Sequence, residues 1–78
     1  MPLALVIGAS RGLGLELVRQ YRAEGWDVIA TARNATGVAR LRALGAEALA
    51  LDATAVDADR QLDTALGGRA LEVAILSA

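Results

Sequence analysis

Short apolar runs alternate along the chain with segments in which apolar residues recur at helical spacing. The first run, 3–7, has the length of a strand and stops at Gly8. Apolar residues then recur with a period near 3.6 until Gly25, a suitable helix C-cap. This pattern predicts a strand followed by an amphipathic helix whose inward residues are Leu13, Leu17, Val18 and Tyr21.

A second strand and a second helix follow in the same way. The strand covers the apolar residues 28–30 and is closed by residues 31–33. Either Asn34 or Thr36 is a suitable N-cap for a helix that ends at Gly45. The residues predicted to face inward on this helix are Val38, Leu41 and Leu44, with arginines at positions 40 and 42 facing outward.

The remaining residues repeat the alternation once more. Residues 48–51 predict a third strand, residues 55–66 predict a third helix ended by two glycines, and the run LEVAIL at 71–76 predicts a fourth strand. Connections this short favour parallel neighbours with right-handed crossovers. We therefore expect an α/β fold in the order βαβαβαβ, a Rossmann-type doubly wound parallel sheet.

The composition changes this picture mainly by excluding functions. The 78 residues carry a formal net charge of −1, with eight arginines, no lysine, no histidine and no cysteine. No metal site is expected, because the usual zinc ligands are missing. The scattered arginines form no nucleic-acid footprint, and no apolar run is long enough to span a membrane. We therefore expect no nucleic-acid or membrane partner. We also expect a cytoplasmic protein, since no leader is evident.

The junction of the first strand and the first helix carries three glycines in the pattern G-x-x-x-G-x-G. Glycine in the first turn of a helix costs roughly 1 kcal/mol relative to alanine, so Gly12 and Gly14 need a reason. Together with Gly8 they supply a tight turn, close backbone approach and free N–H groups, which a dinucleotide pyrophosphate requires. A tight turn without a ligand is the alternative, although one glycine would suffice for it.

The stretch GASRGLG after an apolar strand resembles the cofactor motif of the short-chain dehydrogenase/reductase family, and the likeness covers all 78 residues. The resemblance implies an oxidoreductase that transfers hydride between a nicotinamide and a small carbonyl or alcohol substrate. It also implies cofactor-binding roles within the turn, for Gly8, Ser10, Arg11, Gly12, Leu13 and Gly14. Capping of the first helix is the alternative role for Ser10.

The residues after the second strand favour NADP over NAD. A NAD-binding unit carries an acidic side chain there to bond the ribose 2′-OH, whereas this chain has Ala32 and Arg33. A guanidinium binds two phosphate oxygens at once, and Arg11 is placed to reach the same phosphate from the other side. Family members that this pattern resembles prefer NADP. A solvated charge is the alternative for both arginines.

The resemblance also assigns roles at the ends of the third and fourth strands. Asp52 matches the family's aspartate that hydrogen-bonds the adenine amino group, and Ala53 follows it in the same site. A helix N-cap or a turn aspartate is the alternative for Asp52. The closing ILSA matches the family's Asn-Asn-Ala-Gly turn only in Ala78, because Leu76 and Ser77 replace both asparagines. Ala78 is therefore expected to make at most a backbone contact.

The family's catalytic tyrosine, and the lysine four residues after it, have no counterpart in the sequence. The chain has no lysine, and its one tyrosine, Tyr21, is predicted to pack inward, as Trp26 is at the next corner. No residue is therefore assigned a catalytic role. We expect residues 1–78 to be the N-terminal dinucleotide-binding part of a single Rossmann-fold domain, with the catalytic and substrate-binding half absent.

Two further functions stay open at this point. One is a non-catalytic dinucleotide-binding or sensor module. The other is a structural or assembly fragment without a ligand, for which the unpaired apolar edge of the fourth strand would be the pairing surface. That edge predicts self-association, and we expect a homo-oligomer.

Overall fold

The computed structural model describes residues 1–77, which form a four-stranded parallel sheet and three helices. The strands are β1 (Leu3–Ile7), β2 (Asp27–Ala32), β3 (Glu47–Ala50) and β4 (Val73–Leu76). The helices are α1 (Gly12–Ala23), α2 (Ala35–Ala43) and α3 (Ala58–Leu66). The order along the sheet is β3-β2-β1-β4, so the predicted doubly wound parallel sheet is confirmed. Ala78 lies outside the described residues.

Alternate residues of the strands feed two cores, one on each face of the sheet. Val6 of β1 packs on the face covered by α1 and α2, where Val18 and Leu41 are fully buried. Leu5 packs on the opposite face, against Leu62 of α3. Successive side chains of a strand point to opposite faces, so a sheet covered on both faces needs continuous apolar strands. This requirement explains the run LALVI in β1.

The strand order changes direction at β1. Leu5 of β1 pairs with Ile29 of β2 on one side and with Ala74 of β4 on the other. The chain runs outward from β1 to β3 and then crosses back to β4, which puts α3 on the face opposite α1 and α2. The carboxyl ends of all four strands meet at one edge. In open α/β sheets, ligands bind in the crevice at such a reversal.

Of the four residues of α1 that were predicted to face inward, Val18 is buried and Tyr21 packs against the core, but Leu13 does not. The side chain of Leu13 is 71% exposed, whereas Gly14 and Val18 are buried and Leu15 is partly buried against the core. The buried line therefore runs through positions 14 and 18. Leu13 lies about 100° away from that line, because each residue turns the helix by this angle. The prediction that Leu13 faces inward was wrong.

Helix α3 begins three residues later than the predicted start at residue 55. The Ala55 N–H donates to the carbonyl of Asp52 (3.0 Å), and the Ala58 N–H donates to the carbonyl of Ala55 (3.2 Å). These bonds join residues three apart, so the chain makes successive turns before the four-residue bonds of a helix begin. Val56, in the middle of these turns, is fully exposed.

The strand boundaries shift by up to two residues from the predicted ones. Strand β4 begins at Val73 rather than at residue 71, and Leu71 lies before it on the surface. Strand β3 occupies residues 47–50 rather than 48–51, because only these residues pair with β2. The hydrophobic pattern marks burial rather than pairing, and Leu51 is buried just beyond the end of β3.

The predicted helix ends are confirmed for α1 and α2. The Asn34 side chain accepts a hydrogen bond from the Gly37 N–H (2.8 Å), so Asn34 rather than Thr36 is the N-cap of α2. Gly25 and Gly45 follow the two helices with φ of +85° and +89°, the left-handed conformation that glycine adopts without strain. Among residues 1–77, no helix combines the length and the apolar character that crossing a membrane requires.

Candidate functional site

A cleft of about 760 Å³ opens at the carboxyl ends of the strands. This volume lies within the range of roughly 300–1,000 Å³ that small-molecule sites occupy. The predicted site residues that line it are Gly8, Ser10, Arg11, Arg33 and Ala53. The predicted residues outside its lining are Gly12, Leu13, Gly14 and Asp52. Lining residues that were not assigned from the sequence include Asn34, Thr36, Gly37, Arg40 and Thr54.

Residues 8–14, called the glycine turn below, need their glycines for three different reasons. Gly8 has φ of +80°, and a Cβ atom there would overlap the carbonyl oxygen of Ser77. A Cβ on Gly14 would lie 2.9 Å from the Gly8 carbonyl oxygen and 3.0 Å from Ser77 Oγ. Gly12 has φ of +61°, and no atom of residues 1–77 lies within 4 Å of the position that its Cβ would take. Contact with the end of β4 therefore explains Gly8, and close packing within the turn and against Ser77 explains Gly14. At Gly12 the backbone angle alone requires glycine.

The start of α1 has the character of an anion-binding helix terminus. Arg11 occupies the N-cap position with an extended backbone, and no side chain caps the helix or places an acid in its first turn. Ser10 is therefore not the helix cap. The N–H groups of a first helical turn have no partner within the helix and carry a partial positive charge. Such a terminus next to a cleft favours a phosphate or carboxylate.

The glycine turn is held in place by β2 and α2. Thr31 is only 1% exposed. Its Oγ1 accepts a hydrogen bond from the Gly8 N–H (3.0 Å), and its carbonyl oxygen accepts one from the Ala9 N–H (2.8 Å). From α2, Arg40 Nη1 donates to the carbonyl oxygen of Ser10 (2.9 Å). Neither Thr31 nor Arg40 was assigned a role from the sequence, because each contacts a segment more than twenty residues away.

The electrostatics of the cleft favour an anionic ligand. Arg11, Arg33 and Arg40 line it, and no aspartate or glutamate does so in the part of the chain that the structure describes. Asp52 lies beside the cleft with Oδ1 3.5 Å from Arg33 Nη2. The two side chains are 53% and 75% exposed, so this loose pair neutralises little of the guanidinium charge.

Asp52 is the turn aspartate that the sequence left open as an alternative. Its Oδ1 accepts the Thr54 hydroxyl (2.7 Å) and the Thr54 N–H (2.9 Å), which closes the turn after β3. The pKa of Asp52 lies below its ordinary value, mainly because of the bond from the Thr54 hydroxyl and then the bond from the Thr54 N–H. The attraction of Arg33 lowers it further by a smaller amount. Asp52 is therefore ionised at neutral pH and can accept further hydrogen bonds.

We predict that Thr54→Val raises the pKa of Asp52 towards its ordinary value, because the strongest hydrogen bond to the carboxylate is lost. Carboxyl ¹³C shifts followed against pH measure this change. Since folding depresses this pKa, the stability that Asp52 contributes is present above its unfolded pKa and is lost as pH falls through its folded pKa. Thr64→Val, on α3, should leave the titration unchanged. An unaltered pKa in Thr54→Val would contradict this account.

The two large aromatic residues pack as predicted. The Tyr21 and Trp26 rings lie 4.7 Å apart, centroid to centroid, and both pack against the core on the face covered by α1 and α2. Neither ring is part of the cleft lining. Tyr21 is therefore a packing residue that links the end of α1 to the start of β2.

A parallel sheet with helices on both faces and a ligand-sized cleft at its carboxyl edge defines a Rossmann-type α/β protein. The family model of the short chain dehydrogenases matches residues 2–73. The chain belongs to the short-chain dehydrogenase/reductase family. No curated protein sequence gives a significant match.

Solved structures of this family superpose on nearly the whole chain. A Burkholderia multivorans protein assigned to the family, solved with bound NADP, is 34% identical with a TM-score of 0.82, and the match covers 99% of this chain. A variant of the actinorhodin polyketide ketoreductase, solved with NADPH, is 33% identical with a TM-score of 0.81 over 99%. The chain spans only 36% and 33% of these proteins, about a third of their length.

Proposed function

We propose that the chain is the dinucleotide-binding part of an NADP(H)-dependent oxidoreductase. The observation that carries this proposal is the pair of exposed arginines, Arg11 and Arg33, at a cleft without acidic lining among residues 1–77. Guanidinium groups bind phosphate oxygens in pairs, and NADP brings three phosphate groups to such a site. The two solved relatives with bound NADP and NADPH support the same cofactor.

The cofactor's pyrophosphate fits the start of α1. The helix has no side-chain cap, and the open space beside Gly12 lets a ligand approach the backbone. Ser10, Arg11 and Leu13 are proposed to contribute N–H groups near that point, and Ser10 and Arg11 line the same cleft. Gly8 and Gly14 support this site indirectly, because their packing against Ser77 sets the shape of the turn.

The adenosine end of the cofactor fits the ends of β2 and β3. Arg33 is three-quarters exposed at the cleft and is the proposed ligand of the 2′-phosphate, with Arg11 on the opposite side. The bonds of Asp52 to Thr54 use only Oδ1, which leaves Oδ2 to accept from the adenine amino group. Ala53 lines the cleft next to it. Ala78, proposed as a backbone contact, lies outside the described residues.

When bound, the cofactor would supply a hydride that passes between its nicotinamide and a carbonyl or alcohol carbon. The chain contributes the site that binds and orients this cofactor. No lysine is present in the 78 residues, and Tyr21 is packed into the core, so we assign no proton-transfer residue within this chain. Catalysis and substrate binding are therefore proposed for the remaining part of a longer protein.

The experiment that tests the proposal is a titration of the 78-residue chain with NADPH and with NADH, followed by nicotinamide fluorescence. We expect NADPH to bind at least about tenfold more tightly, because a charge-assisted hydrogen bond contributes roughly 1.5–3 kcal/mol. 2′-Phospho-ADP-ribose and ADP-ribose lack the nicotinamide, so their binding is measured by displacement of NADPH. They should show the same ratio, since the 2′-phosphate alone distinguishes each pair.

Three results separate the possibilities. A preference for the 2′-phosphorylated ligand that weakens with added salt supports the NADP assignment. Equal binding of both pairs would overturn the NADP assignment while keeping a dinucleotide site. Absence of binding by all four ligands, in a chain shown to be folded by circular dichroism, would overturn the dinucleotide site and favour an assembly role.

A further inference from the structure

We propose that Arg40 is a positioning residue that fixes the glycine turn in the orientation required for binding a phosphate. This inference rests on the proposed function, because it concerns the same cleft. It assigns to Arg40 a role different from that of Arg33, which is proposed to contact the ligand directly. The basis is the hydrogen bond from Arg40 Nη1 to the carbonyl oxygen of Ser10, at 2.9 Å across 30 residues of sequence.

The bond to Ser10 determines the direction of the next N–H group. The carbonyl of Ser10 and the N–H of Arg11 belong to one planar trans peptide, so they point in opposite directions. Because Arg40 holds the carbonyl towards α2, the Arg11 N–H is directed away from α2, at the point where α1 begins. A rotated peptide would turn this N–H away from an anion at the helix start.

The other end of the turn does not need Arg40. Thr31 already holds Gly8 and Ala9 through its hydroxyl and its carbonyl, both at the buried end of β2. Beyond Ser10 the backbone passes to Gly12, which has φ of +61° and no neighbour beside it. Arg40 therefore restrains a part of the turn that Thr31 does not hold.

Gly37 explains how Arg40 reaches the turn. A Cβ atom at position 37 would lie 2.7 Å from the Ala32 Cβ and 2.8 Å from the Ser10 Cβ, so any side chain there would push α2 away. Residues three apart lie on the same face of a helix, which puts Arg40 directly after this close contact. Gly37 and Arg40 therefore contact the turn together: Gly37 lets α2 approach Ser10 closely, and Arg40 donates to the Ser10 carbonyl.

The test compares Arg40→Met, which removes the donor, with Arg40→Lys, which keeps a cationic donor. Arg42→Met is the matched control, because Arg42 is on the same helix but outside the cleft lining. We expect Arg40→Met to weaken NADPH and NADH by a similar factor of about five, since both share the pyrophosphate. Arg40→Lys should recover most of this loss, and Arg42→Met should bind like the wild type.

Three results would overturn the proposal. A loss confined to NADPH would mean that Arg40 contacts the 2′-phosphate directly. Unchanged binding of both nucleotides would leave Arg40 with no role. A loss that Arg40→Lys fails to recover, and that parallels a fall in melting temperature, would leave Arg40 with a purely structural role.

A ligand-free measurement keeps the inference testable if the proposed function fails. In the chain without nucleotide, Arg40→Met should shift the Ser10 carbonyl ¹³C and Arg11 amide resonances, because the Ser10–Arg11 peptide loses its restraint. Arg40→Lys should restore them, and the Gly8 and Ala9 amides should stay protected by Thr31. Unchanged Ser10 and Arg11 signals in Arg40→Met would refute the positioning role, whether or not the wild type binds a dinucleotide.

Discussion

Gly8→Ala is expected to lower the free energy of unfolding by about 3 kcal/mol or more. The position has φ of +80°, which strains any side-chain-bearing residue, and the added Cβ would overlap the carbonyl oxygen of Ser77. Ser77 also donates its N–H to the Ile7 carbonyl (2.8 Å). Relieving the overlap with Ser77 therefore requires β1 and β4 to separate at their ends. A domain of this size has a total stability of only about 4–12 kcal/mol.

Gly68→Ala is the matched control for this prediction. Gly68 has φ of +81°, but no atom of the described residues, 1–77, lies within 4 Å of the position that its Cβ would take. Only the backbone strain should be felt there, at about 1 kcal/mol. Urea unfolding followed by circular dichroism measures both variants. Equal losses in the two would show that the contact with Ser77 carries no energetic weight.

Arg33→Asp is expected to weaken NADPH binding by about a hundredfold and to invert the preference between the two cofactors. The substitution removes the proposed 2′-phosphate ligand and puts a carboxylate in its place. This carboxylate would repel the phosphate of NADPH but would accept a hydrogen bond from the ribose 2′-OH of NADH. Isothermal or fluorescence titration with both nucleotides gives the ratio.

Arg60→Asp is the matched control for this prediction. It changes the net charge of the chain by the same amount as Arg33→Asp, but Arg60 lies on α3, outside the cleft lining. It should reduce NADPH binding only slightly, and this reduction should disappear at high salt. If Arg33→Asp and Arg60→Asp weakened NADPH binding equally, the effect would be one of overall charge. The assignment of Arg33 to the 2′-phosphate would then be wrong.

The element order was predictable because its signals are local. Every strand and helix was found from apolar runs and helical spacing, and glycines such as Gly25 and Gly45 marked the helix ends correctly. The boundaries were less accurate. Leu13 was assigned to the wrong face. The apolar residues of α1 fit two helix faces about 100° apart, and only packing on the sheet selects one of them.

The sequence alone determined the family, the parallel sheet and the glycine turn, since each depends on residue types at short, fixed spacings. Tertiary structure decided what holds that turn. Thr31 accepts a bond from Gly8, 23 positions away, and Arg40 donates one to Ser10, 30 positions away. Gly37 matters because Ala32 and Ser10 meet beside it. No periodicity encodes such contacts, because they exist only once the sheet has brought β2 and α2 against the end of β1.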